Sequence, residues 1–423
     1  MGSQYASRTL SRPTALAAVL LGTAFAAGPG GIAGEAPAAR EVAAQIQTAS
    51  PLPCITPREA REDFIRVAVA GGKGAMALPV KGGQVNVLVA RGALAVEVPG
   101  DGTGRPSPAV ALPERGFSVP LVVNLEYPDK STGIAALSFA HGSKEGELFV
   151  RNMAVATARA GDGLILIADD NCNGKYGDSG EDAVTFDNSR LAVPLGSTLV
   201  VGGVPCGVQV AENGRKVTIT PTDARLGMAG LNTRDGWTLM AGAVVKGPGG
   251  SFALRPDRHV AVPAGSYELA YAVIEDAGGR RAMVGGGNLK MTVPEGGQAA
   301  LPSLGTVKLD VQARFDPASG KITVEPPKPE AVTCAGGRVT YFFPLPAPDV
   351  NVKQKVGNQE QTVRANMKMP IKGGAMVFLP GDAGMRYFEK YKLEMVWMTG
   401  VGPEARGSVQ LEITLPTPPN KKK

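Results

Sequence analysis

Histidine is nearly absent from this chain: His141 and His259 are the only two among 423 residues, beside four cysteines with no C-x-x-C pair. That scarcity excludes a zinc centre built from imidazoles and thiolates. Aromatic residues make up 5%, and no basic stripe is interleaved with them, so the stacking platform of a nucleic-acid binder is missing. The formal charge of +6 is a mild excess; without Arg8 and Arg12 it falls to +4. Beyond the N-terminal segment no apolar run approaches the roughly 20 residues of a transmembrane helix, so no transmembrane span is expected. Amphipathic helical periodicity is also scarce.

What the chain does have begins at its N-terminus. Arg8 and Arg12 precede an apolar core from Ala15 to Leu21, and Ala24-Phe25-Ala26 supplies a small-x-small cleavage site. Residues 1–26 therefore read as a secretory signal, with a mature chain from Ala27 that is secreted, periplasmic or at the cell surface. Residues 27–50, rich in Gly, Ala and Pro, read as a flexible leader with one short helix around Ala38 to Ile46. In an oxidising compartment, Cys54, Cys172, Cys206 and Cys334 are expected to form two disulfides. Of the three possible pairings, Cys172–Cys206 with Cys54–Cys334 is preferred, because Cys172 and Cys206 flank neighbouring strand candidates. Four separate buried thiols are the alternative.

The 56 glycines and 34 prolines are spread among short valine-rich runs, the pattern of many turns between short strands. Val208 and Val210 lead to Asn213-Gly214, then to Val217 and Ile219, which predicts a hairpin. Period-two alternation recurs at Val307/Leu309/Val311, Tyr267/Leu269/Tyr271/Val273, Val363/Ala365/Met367/Met369, Tyr391/Leu393/Met395/Trp397 and Val409/Leu411/Ile413/Leu415. The fold class is therefore all-β, with multiple antiparallel β-sandwich (Ig-like) modules. Composition breaks divide it into a β-rich domain over 51–224, a middle module over 225–302 and a C-terminal module over 303–416. A basic tail, 417–423, ends in Lys421-Lys422-Lys423.

The stretch from Asp169 to Asp182 is the most specific feature. Side-chain oxygens at Asp169, Asn171 and Asn173 alternate, Gly174 follows, and more carboxylates come after it, which is how a loop wraps a hard cation. Asp169-x-Asn171-x-Asn173-Gly174 resembles the opening half of the calcium loops of EF-hands and dockerins. That resemblance covers about a dozen residues. It implies Ca2+ held by Asp169, Asn171 and Asn173, a sharp turn at Gly174 and a backbone carbonyl from Lys175. The loop departs from the pattern where the closing carboxylate belongs, which is Gly180. Asp178, Glu181 or Asp182 must take that place, and Asp182 with Asp178 in support is preferred. Leu164 to Ile167 reads as a strand where an EF-hand has a helix, so the likeness is to a ligand pattern in a secreted bacterial β-rich protein. The competing reading is an Asn/Gly/Asp turn whose side chains cap their own backbone. Cys172 is expected to point away from the ion.

Other motifs carry less. Gly177-Asp178-Ser179-Gly180 matches the surroundings of a serine-protease nucleophile, but His141 lies too close in sequence and in the wrong context. Gly100 to Gly104 and Gly285-Gly286-Gly287 lack the helix of a phosphate cradle. Tyr267, Tyr271, Tyr387, Tyr391 and Trp397 form either a sugar-stacking row or core pairs. The function expected is a non-enzymatic binding or scaffold module with a structural calcium site, its partner an envelope polysaccharide or protein. The alternative is an extracellular carbohydrate-active enzyme or hydrolase accessory protein with a glycan-binding sandwich.

Overall fold

Alternating apolar and polar side chains become strands almost everywhere in the computed structural model, which describes residues 38–48, 54–78, 80–98, 106–142, 144–234, 236–370 and 374–415. The signal segment 1–26, the first part of the leader, Gly100 to Gly104 and the basic tail lie outside the described residues. Among the described residues, the α-helix is the five-residue Pro57–Arg61, capped by the Thr56 hydroxyl, which accepts from the Glu59 N–H at 3.2 Å. All-β is the fold class.

Two eight-stranded sheets hold the first half of the chain. One runs from Val193–Pro194 through Ala183–Phe186, Gly163–Ala168, Ala154–Ala160, Arg40–Thr48, Lys216–Pro221 and Val204–Val210 to Leu199–Val201. The other begins at Val110–Ala111 and ends at Leu121–Glu126, with Thr132–His141 next to its last strand and Glu147–Asn152 beyond that. The predicted hairpin is present, with Val208 opposite Ile219 and Val210 opposite Val217. A third sheet of twelve strands extends from Gly250–Leu254 to Gln359–Lys368, running without a break from the middle segment into the last. Two three-stranded sheets complete the set.

Burial explains the layering. Val244, Tyr271 and Val273 face the core of the first sheet, whereas their neighbours Ala243, Val245, Ala272 and Ile274 face the core of the C-terminal half. These central strands are thus covered on both sides, and their sequence is apolar at successive positions rather than alternate ones.

The leader expectation is corrected here. Residues 40–48 form neither a helix nor a flexible leader; Arg40–Thr48 is an interior strand of the first sheet. Ala43 and Ala44 favour helix locally, but the strand closes the gap between two others. Its first half pairs with Lys216–Pro221 and its second half with Ala154–Ala160. Backbone groups on both neighbours would otherwise lack partners. Val42, Ala44 and Ile46 all turn toward the core, which fixes the register.

Ala44 donates its N–H to the Arg215 carbonyl at 2.8 Å. Ala44→Pro removes that donor within a buried ladder and is expected to cost at least about 1–3 kcal/mol. Urea unfolding measures it; an unchanged midpoint would show that the strand is dispensable.

Candidate metal centre at the sheet junction

The loop that follows Gly163–Ala168 grows from the place where the chain returns from one eight-stranded sheet to the other. Glu147–Asn152 belongs to one and Ala154–Ala160 to the other, with Met153 between them. Asn152 pins the crossing. Its Oδ1 accepts from the Ala136 and Ala154 N–H groups at 2.8 and 3.0 Å, and its Nδ2 donates to Asp169 Oδ2 at 2.7 Å. Asp169, 1% exposed, also accepts from the Gly174 N–H at 2.6 Å and, on Oδ1, from the Asn173 N–H at 3.0 Å.

The loop is anchored in both cores. Cys172 packs among Leu125 and Tyr127 in the core of one sheet, and Tyr176 packs in the core of the other. Tyr127 donates its hydroxyl to the Asn173 carbonyl at 3.1 Å, and Tyr176 donates its own to the Ile134 carbonyl at 3.0 Å. Gly174 has φ +79, and a Cβ there would stand 2.2 Å from Leu125 Cδ1 and 2.6 Å from the Tyr127 hydroxyl, so no other residue fits this turn. Lys175 places its ammonium 5.0 Å from the Tyr127 ring centroid and pairs with Glu212 at 2.5 Å.

The sequence-predicted ligands are brought together unequally. Asn171 Nδ2 and Asn173 Nδ2 both donate to Asp178 Oδ2, at 2.9 and 2.5 Å, so three side-chain ends meet at one point. The Oδ1 atoms of the two asparagines accept backbone N–H groups, Asn173 for Asn171 and Lys175 for Asn173. Those are the self-capping turns of the competing reading. Asp182, 1% exposed, accepts from the Asp178 N–H at 2.8 Å through Oδ2, while its Oδ1 is buried with no hydrogen-bond partner. Glu181 is drawn away to Arg58, 2.8 Å from its guanidinium, and Gly180 contributes its N–H to the Leu195 carbonyl. Among the described residues, no three His, Cys, Asp or Glu side chains form a ready metal-holding group. A cation here would have to draw on amide and carbonyl oxygens as well, as calcium loops do.

Two carboxylates out of water carry a large desolvation penalty. Burial pushes Asp169 up to about 7, against the opposing pull of its hydrogen bonds from Asn152, Gly174 and Asn173. Burial first, and the Asp169 charge second, push Asp182 up to about 9.

The disulfide expectation is corrected. Cys54, Cys172, Cys206 and Cys334 are all free thiols. Cys54 packs with Val155 and Ala183, Cys172 with Leu125, Cys206 with Val208, and Cys334 against the C-terminal core, so each thiol belongs to a different packing cluster. Cys172, in a left-handed conformation at φ 58, points into apolar packing, and the loop is pinned there without a covalent link.

The decoy motifs also find places. Ser179 Oγ donates to the Leu195 carbonyl at 3.4 Å. His259 lies against Gly230, and His141 ends the strand Thr132–His141. Of the five aromatics of the sugar-stacking row, Tyr267, Tyr271, Tyr391 and Trp397 are buried, which leaves Tyr387 alone at the surface. Sequence reasoning missed Asn152, Arg58 and the tyrosine pair. It also missed Glu59, whose Oε1 accepts from Arg151 at 3.0 Å and from Arg281 at 2.7 Å, joining the short helix to two sheets.

No protein-family model matches this chain, and no curated protein does. Among solved structures, one match is a chain from work on how a bacterial ice-binding adhesin is retained at the host cell surface. It is 11% identical, over 90% of this chain and 100% of that chain, with a TM-score of 0.13. At that score the likeness carries no argument.

Asp169 and Asp182, together with Asp170 and with Glu62, which burial pushes up to about 7, set a pH dependence for the protein kept free of metal. Unfolded aspartate titrates near 3.9, so between there and the folded values the native state holds protons that the unfolded chain releases. Stability therefore falls as pH rises. The urea midpoint in chelator should decline from about pH 5 to about pH 9, and Asp182→Asn should flatten the upper part of that decline. A flat profile for the unaltered chain would contradict the assignment.

Proposed function

We propose that this chain is an exported, non-enzymatic β-sandwich protein of the cell envelope, a binding or scaffold module whose junction loop is clamped by calcium. The observation that carries the calcium reading is the buried, unpartnered Oδ1 of Asp182 beside buried Asp169. An oxygen that water cannot reach can still serve a bare cation, because calcium sits at about 2.3–2.6 Å from its ligands, closer than a water oxygen approaches. The ion would take Asp169, Asn171, Asn173, the Lys175 carbonyl and Asp182, with Asp178 in support. A half-turn of the Asn171 and Asn173 amides would bring oxygen where both now meet Asp178, in exchange for the backbone N–H groups of Asn173 and Lys175 that their Oδ1 atoms accept.

The role of such an ion is structural on this reading. It would neutralise the carboxylates of a loop rooted in two cores and so hold two sheets in register. Export rests on the N-terminal signal pattern. No helix among the described residues is long and apolar enough to cross a membrane. The partner envisaged is an envelope polysaccharide or protein.

The test exploits a change of sign. Calcium at a hundred times its dissociation constant should add roughly 2.7 kcal/mol to the unaltered chain, and chelator should remove that gain. Asp182→Asn retains the acceptor for the Asp178 N–H but, above about pH 9 where the carboxyl ionises, discards a desolvated charge. In chelator it should therefore melt at or above the unaltered chain, and it should gain nothing from calcium. Ser179→Ala should respond to calcium like the unaltered chain. Melting indifferent to both calcium and chelator would leave the loop a polar turn.

A further inference from the structure

A cavity of about 340 Å³ opens between the turn after Ala183–Phe186 and the connection that joins Gly250–Leu254 to Val260–Pro263. Its volume lies within the range of small-molecule sites, about 300–1,000 Å³. Phe186, Leu199, Phe252 and Val262 give it apolar walls, while Asp187, Arg255, Arg258 and His259 are polar members of its lining. Apolar walls beside a guanidinium held only by a half-exposed ion pair suit a ligand with a carbon chain and an anionic head.

The two arginines are not equivalent. Arg255 is fixed by a two-pronged pair with Asp257, Nε to Oδ1 at 3.0 Å and Nη2 to Oδ2 at 2.9 Å, and spends Nη1 on the Asp187 carbonyl at 3.1 Å. Arg258 pairs with the Asp187 carboxylate across the cavity mouth, and both partners of that pair are about half exposed. An exposed pair of this kind contributes little to stability, so Arg258 can exchange Asp187 for an anion held from the drier side. Asp187 and Asn188 occupy the two left-handed positions of the turn, at φ 53 and 58, with the Ser189 N–H donating to the Phe186 carbonyl. That turn presents Asp187 to the mouth without relying on the arginine.

We propose that this cavity binds a medium-chain aliphatic carboxylate, with the chain between Phe186 and Phe252 and the head group on Arg258. The site is separate from the calcium-type loop, and its test does not depend on calcium. Sodium decanoate and decanol, at sub-micellar concentration, are the probes for calorimetric titration of the full chain. Decanoate should bind saturably at one site, and decanol at least tenfold more weakly. Arg258→Gln, a surface change, should lower decanoate affinity about tenfold without altering decanol binding or the melting temperature. Val200→Trp, at a partly buried wall position, should abolish binding of both. Absence of saturable decanoate binding, equal affinity for the two probes, or binding untouched by Arg258→Gln and Val200→Trp would each overturn the assignment.

Discussion

The hydrogen bond from Asn152 to Asp169 is the constraint on which the first half of the molecule turns. One side chain gathers the backbone of two strands and the opening residue of the loop, at the place where the chain returns from one eight-stranded sheet to the other. A buried amide is costly unless its groups are satisfied, and here it holds three hydrogen bonds. The carboxylate it meets is equally committed, since Gly174 and Asn173 complete its shell. Removing either partner leaves the other buried and short of a bond. The loop is therefore a joint between sheets before it is anything else.

That view changes what the acidic residues mean. A polar turn at a protein surface could solvate its carboxylates, but Asp169 and Asp182 are each 1% exposed. Their mutual repulsion and desolvation work against the joint that the surrounding hydrogen bonds create. A cation resolves the conflict, and so does protonation, which is why metal-free stability and pH are coupled in this account. On the far side, Arg58 meets the loop twice, with its N–H on Asp170 at 3.1 Å and its guanidinium on Glu181.

Much of this was legible in the residues. Period-two patterns at Tyr267/Leu269/Tyr271/Val273 and Tyr391/Leu393/Met395/Trp397 marked strands in which those side chains are buried, and Asn213-Gly214 marked its hairpin. Glycine at position 174 was read as a turn, and the structure adds the reason that Leu125 and Tyr127 occupy the space of a side chain. Other parts were not legible because they depend on distant partners. Residues 40–48 have local helix formers and become a strand only because two other strands leave a slot. Val363 to Met367 alternates like a buried strand, yet Gln359–Lys368 is an edge strand with most of its side chains exposed. The cysteines were even in number and exportable, but pairing requires proximity, and each thiol packs in its own cluster. Asn152 carries no motif at all.

The central claim is that the two buried carboxylates make the joint a cation site, and luminescence of bound terbium tests it most directly. Terbium substitutes for calcium among hard oxygen ligands, and Tyr127 and Tyr176 flank the loop as sensitisers. Excitation of tyrosine should give terbium emission that saturates at one equivalent, is displaced by calcium and is lost in Asp182→Asn. Emission that is absent, or that persists unchanged in that variant, would contradict the account.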